Sequence, residues 1–184
     1  MRADVEEFGR VAGVPPAAGE ALPWEPAMRR VGVALPADYR GFVDGFGPGE
    51  LYARLAVAAP GPLRDGPPGS DGAAALRAFL DDATRTCDVM RGLRDKYPDA
   101  FPYAFHPEPG GLLPWGGGIG GEVCFWRPEG DGPDGWTVVV WDQARWRPYP
   151  MGMVALMLLA AAGTDDFLRG YFYDPQALVW TPRH

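Results

Sequence analysis

Gly121-Glu122-Val123-Cys124-Phe125-Trp126 and Trp136-Thr137-Val138-Val139-Val140-Trp141 are two short runs rich in β-branched and aromatic residues, a composition that suits a pleated surface. Arg127 to Gly135 between them holds Gly130, Gly132, Gly135, Pro128 and Pro133, which break strands and favour turns. The pattern predicts an antiparallel hairpin. Leu112-Leu113-Pro114-Trp115 before it and Arg145-Trp146-Arg147 after it extend the sheet on either side.

Outward from the hairpin the periodicity turns helical. Leu76, Phe79, Leu80, Ala83, Cys87, Met90, Leu93 and Tyr97 recur at steps of three or four and predict a helix from Asp71 to Tyr97. Its other face pairs Asp81 with Arg85 and Arg91 with Asp95 at i,i+4, as a solvated face does. Two short helices are expected in the segment beginning Trp24-Glu25-Pro26 and around Tyr39, Phe42 and Val43. An apolar helix is expected from about Met151, and Thr164 is placed to cap a last one. Glu50 to Ala58 reads as one strand, ahead of a mobile Pro/Gly loop from Pro60 to Gly72. The fold class is therefore α+β: a central, mostly antiparallel sheet with helices packed on it, one domain over residues 24–184. Residues 1–23, with Pro15-Pro16 and many small side chains, read as a loosely attached arm.

The 184 residues are 47% apolar and 22% charged, values that support one sizeable core. The net charge of −7 argues against binding a phosphate backbone, whose affinity comes largely from Lys and Arg, and favours a basic protein partner. The most apolar stretch, Met151 to Ala162, is far shorter than the ~20 residues needed to cross a bilayer. Cys87 and Cys124 lack CxxC spacing and no secretory leader opens the chain, so reduced thiols in a cytoplasmic setting are expected.

The residues offer little for catalysis. Gly116-Gly117-Gly118-Ile119-Gly120-Gly121 contains GxGxxG, with Asp142 about 20 residues beyond, but the run leads into a strand and not into the helix that would face a pyrophosphate. A flexible turn accounts for it. Ser70 reads as a helix cap, as does Asp71, while Cys87 and Cys124 read as packed thiols. With His106 and His184 the only histidines, neither a nucleophile–base pair nor a metal site is expected, and no cofactor. The one acid–base alternative is a hydrolase using Glu122 and Asp142, one on each hairpin strand.

Gly121 to Asp142 stands out in another way. It holds five carboxylates, Glu122, Glu129, Asp131, Asp134 and Asp142, against the single Arg127, a net of −4 out of −7. Trp115, Trp126, Trp136, Trp141 and Trp146 lie in or beside it, and Trp is enriched among residues that dominate binding at interfaces. Core tryptophans and a solvated turn are the plainer explanation. The partner-binding reading takes Trp115, Glu122, Trp126, Glu129, Asp131, Asp134 and Asp142 as its contact residues.

Leu35-Pro36-Ala37-Asp38-Tyr39-Arg40-Gly41-Phe42 resembles the Leu-Pro-x-x-Tyr-x-x-Phe helix of the SUKH superfamily. Gly47 to Gly49 stands where that family has Asn-Gly-Gly, and the Asn is missing. Leu112 to Gly116 and Gly121 to Trp126 look like its isoleucine-proline-glycine stretch and Gly-Asp strand, with Glu122 in place of Asp. Thr164 to Leu168 resembles its late Phe-x-x-Phe-Leu helix. The resemblance implies a compact α+β fold without catalytic residues or cofactor. It implies an immunity protein that neutralises a bacterial toxin, a basic nuclease by the charge argument, or else an intracellular scaffold of the same fold.

Overall fold

The computed structural model describes residues 3–17, 23–60 and 72–183. Among them the chain runs through α1 (Ala3–Ala12), α2 (Trp24–Val31), α3 (Ala37–Phe46), β1 (Gly49–Leu51), β2 (Leu55–Val57), α4 (Gly72–Lys96), β3 (Leu113–Gly118), β4 (Val123–Arg127), β5 (Thr137–Trp141), β6 (Trp146–Tyr149), α5 (Met153–Ala162), α6 (Asp166–Phe172) and β7 (Trp180–Pro182). The strands form one antiparallel sheet in the order β6-β5-β4-β3-β2-β1-β7, an α+β fold. The expected hairpin is β4–β5, in register from Val123↔Trp141 to Arg127↔Thr137.

Alternation along β4 and β5 sends side chains to two cores. Cys124, Trp126, Val138 and Val140 join the larger one, with residues of α1, α2, α3, α5 and α6. Phe125 and Val139 join the smaller, closed by Cys87 and Met90 of α4 and by Phe101, Phe105 and Leu112. Helix α4 serves both, since its first half places Ala73, Leu76, Phe79 and Ala83 in the larger core. Its solvent-side pairs are Arg85 with Asp82 and Arg91 with Asp88, one residue closer than the predicted Asp81–Arg85 and Arg91–Asp95. Tyr97, assigned to the buried stripe, is exposed.

Several expectations are corrected. The N-terminal residues are not a loose arm: Val5 and Phe8 of α1 are fully buried, and the Phe8 ring meets Phe42, Phe46 and Trp180 edge-on at centroid distances of 5.0, 5.2 and 5.7 Å. The stretch Glu50 to Ala58 is not one strand but the β1–β2 hairpin, turned through Tyr52 and Ala53 at φ +52° and +53°. A tyrosine tolerates this left-handed conformation because its buried ring packs on Tyr173 and its hydroxyl donates to the Ala161 carbonyl at 3.0 Å.

The glycine run is a turn only in its second half, Ile119 to Gly121. Gly116 to Gly118 belong to β3, and a Cβ on Gly116 would sit 2.5 Å from the Ala56 carbonyl oxygen of the neighbouring strand. Asp165, not Thr164, caps α6, its Oδ1 accepting the Leu168 N–H at 2.8 Å. Strand β7 has no counterpart in the sequence reading. The Pro60–Gly72 loop assignment and the capping roles of Ser70 and Asp71 fall on residues 61–71, outside the described residues.

Registers place the β1–β2, β3–β4 and β5–β6 turns, with the approach to β7, at one end of the sheet, since Leu51↔Leu55, Leu55↔Gly118, Val123↔Trp141, Trp141↔Trp146 and Leu51↔Trp180 are all terminal pairs. The β4–β5 connection lies at the other end.

Candidate partner-binding site

The β4–β5 connection carries Glu129, Asp131 and Asp134 to the second end of the sheet, where helices α1, α3 and α5 begin. Helix α3 starts after Pro36, which has no side-chain group to accept the first N–H groups. Asp134 takes that part from 97 residues away, its Oδ1 accepting the Ala37 N–H at 2.7 Å. Helix α5 starts after Gly152, equally without a capping side chain. Asp38, buried in the first turn of α3, accepts the Val154 N–H on Oδ2 at 3.3 Å and the Tyr39 N–H on Oδ1 at 2.8 Å. A Cβ at position 152 would lie 2.6 Å from Asp38 Oδ2, so glycine is required for this carboxylate to approach.

These helix starts, with Asp4 in the first turn of α1, enclose a cleft of about 90 Å³ lined among others by Asp4, Asp38, Asp134, Trp126, Trp136 and Met153. Asp4, Asp131 and Asp134 are exposed, and Trp136 is half-buried. Carboxylates at helix N-termini are favoured by the partial positive charge there, which holds Asp4 at the start of α1 and Asp134 at the start of α3. Glu129 is tethered more loosely, by Arg127 and by the Thr137 hydroxyl at 3.4 Å.

Four of the seven predicted contact residues are not available to a partner. Trp115 and Trp126 are fully buried, because the face of β3 and β4 they occupy is covered by helices, and Trp126 stacks edge-on against Tyr39 at 4.8 Å. Glu122 and Asp142 are also buried, at the opposite end of the sheet from Asp131 and Asp134. Glu122 folds back over the β3–β4 turn, one oxygen accepting the Gly120 N–H at 3.1 Å. Asp142 accepts the Ala144 and Arg145 N–H groups at 3.0 and 2.6 Å, the Arg145 guanidinium at 3.0 and 3.1 Å, and the Tyr171 hydroxyl at 3.0 Å.

That donor set limits the part Asp142 could play in the acid–base alternative. Burial raises the pKa of Asp142, but the bonds from the Arg145 and Ala144 amides, Tyr171 and the Arg145 side chain outweigh it and leave the carboxyl below its usual range. A carboxylate held ionised and saturated with donors is no general acid. Burial raises the Cys87 thiol to about 11 and pushes Cys124 up further, so neither supplies a thiolate near neutrality. Among the described residues no group of three or more His, Cys, Asp or Glu side chains is arranged to hold a metal ion.

Sequence reasoning missed Asp4, Asp38 and Trp136 as parts of the acidic end. Asp38 carried the local sign of a helix start, an acid after Leu-Pro-Ala, but nothing in its neighbourhood announced the contact with Val154, 116 residues on. Compared with models of known protein families, with curated proteins and with solved structures, the chain matches none.

Proposed function

We propose that this chain is a non-catalytic protein-binding domain that meets a basic partner with its acidic end, and that it acts as an immunity protein neutralising a toxin of that charge. The observation that carries the reading is the gathering of Asp4, Asp38 and Asp134, from three segments remote in sequence, around one cleft beside the half-buried Trp136, with the exposed Asp131 on the same connection as Asp134. Carboxylates such as Asp4 and Asp134, held at helix N-termini, cost little ordering when a cationic surface docks, and a net charge of −7 steers such a surface in. The resemblance of Leu35 to Phe42 and Gly121 to Trp126 to SUKH immunity proteins supports the toxin over other basic partners.

The test is co-expression with a basic toxin domain encoded beside this chain, followed by titration of the purified pair across a salt series. Rescue of growth, with affinity that falls as salt rises and drops in Glu129→Lys plus Asp131→Lys, is the expected result. Binding that is indifferent to both salt and these substitutions would sink the reading.

A further inference from the structure

Gly152 is a glycine that its own backbone does not require. It precedes α5 at φ −73° and ψ 174°, an extended conformation open to any residue. The space around it gives the reason for glycine. A Cβ there would lie 2.6 Å from Asp38 Oδ2 and 3.5 Å from Asp38 Cγ, and no other atom of the described residues comes within 4 Å. The gap serves one carboxylate.

Asp38 divides its two oxygens between two helices. Oδ1 accepts the Tyr39 N–H at 2.8 Å in the first turn of α3, and Oδ2 accepts the Val154 N–H at 3.3 Å in the first turn of α5. The residue is 6% exposed, and the described residues that line the cleft beside it include no arginine or lysine. Its amide bonds therefore stand in for the water that a buried carboxylate gives up.

The residue before Asp38 extends the link. Ala37 donates its N–H to Asp134 at 2.7 Å, and Asp134 stands in the β4–β5 connection with Glu129 and Asp131. A continuous path thus runs from the start of α5, through Asp38 and Ala37 at the start of α3, to the acidic connection. Both of its hydrogen bonds join segments remote in sequence. Asp38, Asp134, Gly152 and Met153 all line the cleft, and the ring of Tyr39, next to Asp38, meets Trp126 of the cleft wall edge-on at 4.8 Å.

We propose that Asp38, seated in the room that Gly152 leaves, is a positioning residue of the acidic end: by joining the start of α5 to the start of α3 it sets where Asp134, and with it the β4–β5 connection, stands beside the cleft. Asp38 is buried and acts through Asp134 without touching a partner. A first-turn acid that served its own helix alone would need neither the Val154 bond nor a glycine at position 152. Only the consequence for binding rests on the preceding reading of the acidic end, since the link between α5 and the connection is a property of the chain by itself.

Gly152→Ala tests the link, because its methyl group meets Asp38 and nothing else, well inside the 3.4 Å where ordinary contact begins. Amide spectra and hydrogen exchange of the isotope-labelled full chain are compared for the parent, Gly152→Ala, Asp38→Ala and the double substitution. Both single substitutions are expected to shift the Asp131 and Asp134 amide signals and to speed exchange at Ala37 about tenfold, with Val139 in the sheet unaffected, while the double substitution adds nothing to Asp38→Ala. Changes confined to the neighbours of positions 38 and 152 overturn the proposal, and so do effects that simply sum in the double substitution. Titration with a hexa-arginine amide then reads the consequence for binding. Gly152→Ala is expected to bind it about threefold more weakly than the parent with the same salt dependence, because acids are displaced and none is removed. Equal affinity in the two chains overturns the positioning role in binding. A parent chain that ignores the peptide at every salt concentration counts against the preceding reading instead, and the amide measurements still decide the link.

Discussion

The Asp134 carboxylate accepts the Ala37 N–H at 2.7 Å, so an acid in the hairpin connection caps a helix that begins 97 residues earlier. Removing it takes away the side-chain acceptor of the Ala37 N–H, leaving Asp38 to serve only the Tyr39 N–H in that turn. Asp134→Ala therefore lowers unfolding free energy by about 1 kcal/mol in urea titration, and Asp134→Asn, which keeps an oxygen at the same place, recovers most of that. Equal losses in both variants would show that charge, and not the cap, carries the effect.

Trp126 is fully buried and its indole N–H has no hydrogen-bond partner among the described residues, as is true of Trp115 and Trp180. Replacing the ring by a smaller aromatic gives up contact area but removes an unsatisfied donor, and an orphan donor costs about 1–3 kcal/mol. Trp126→Phe is accordingly expected to be nearly neutral in thermal unfolding, while Trp126→Ala costs about 3–5 kcal/mol through the cavity it leaves. A Phe variant as damaged as the Ala variant would mean that the N–H is satisfied after all.

Glu108 ties the 101–112 segment to α4. Both its oxygens meet Arg94 at 2.7 Å, and one also accepts the Phe105 N–H at 3.0 Å. The Arg94 bonds, then the Phe105 amide, hold its pKa near 2, below the ordinary 4.5. A carboxylate depressed in the folded state contributes stability that is fully present above its unfolded value, and that contribution is lost as pH falls from about 4.5 through about 2. The stability of Glu108→Gln should fall less between those two pH values than that of the parent, with the two lines converging at the acid end. Parallel lines would remove Glu108 from the account of acid unfolding.

The bonds from Asp142 N–H to the Arg145 carbonyl and from Arg183 N–H to the Pro48 carbonyl make Val139↔Pro148 and Gly49↔Pro182 non-bonded pairs, so the proline nitrogens face outward and leave the outer strands β6 and β7 short of donors. Pro148→Thr restores an amide on the open side of β6 without touching its bonds to β5. Aggregation followed by light scattering on mild heating is expected to quicken in this variant, with little change in melting temperature. If the rate is unchanged, the proline is not what guards that edge.

Legibility followed the range of the forces involved. The β4–β5 hairpin, α4 and the apolar helix α5 were readable because period-2 and period-3.6 patterns are local consequences of which face is buried. The β1–β2 turn was not, because a tyrosine and an alanine in left-handed conformation go against local preference and are held there by Ala161 and Tyr173, far along the chain. The firm docking of α1 was hidden for the same reason: Phe8 finds its partners in α3 and β7.

By itself the amino-acid sequence determined the α+β class, the net charge and the crowding of carboxylates between Gly121 and Asp142, since composition and periodicity need no partner to be read. Only the tertiary structure decided what those carboxylates do. Hairpin geometry sent Glu122 and Asp142 to one end, where they are buried and accept backbone N–H groups, and Glu129, Asp131 and Asp134 to the other, where Asp134 caps the start of α3 beside the cleft. A charge count along the chain cannot separate the two groups, because a strand of only five residues carries neighbours in sequence to opposite ends of the sheet.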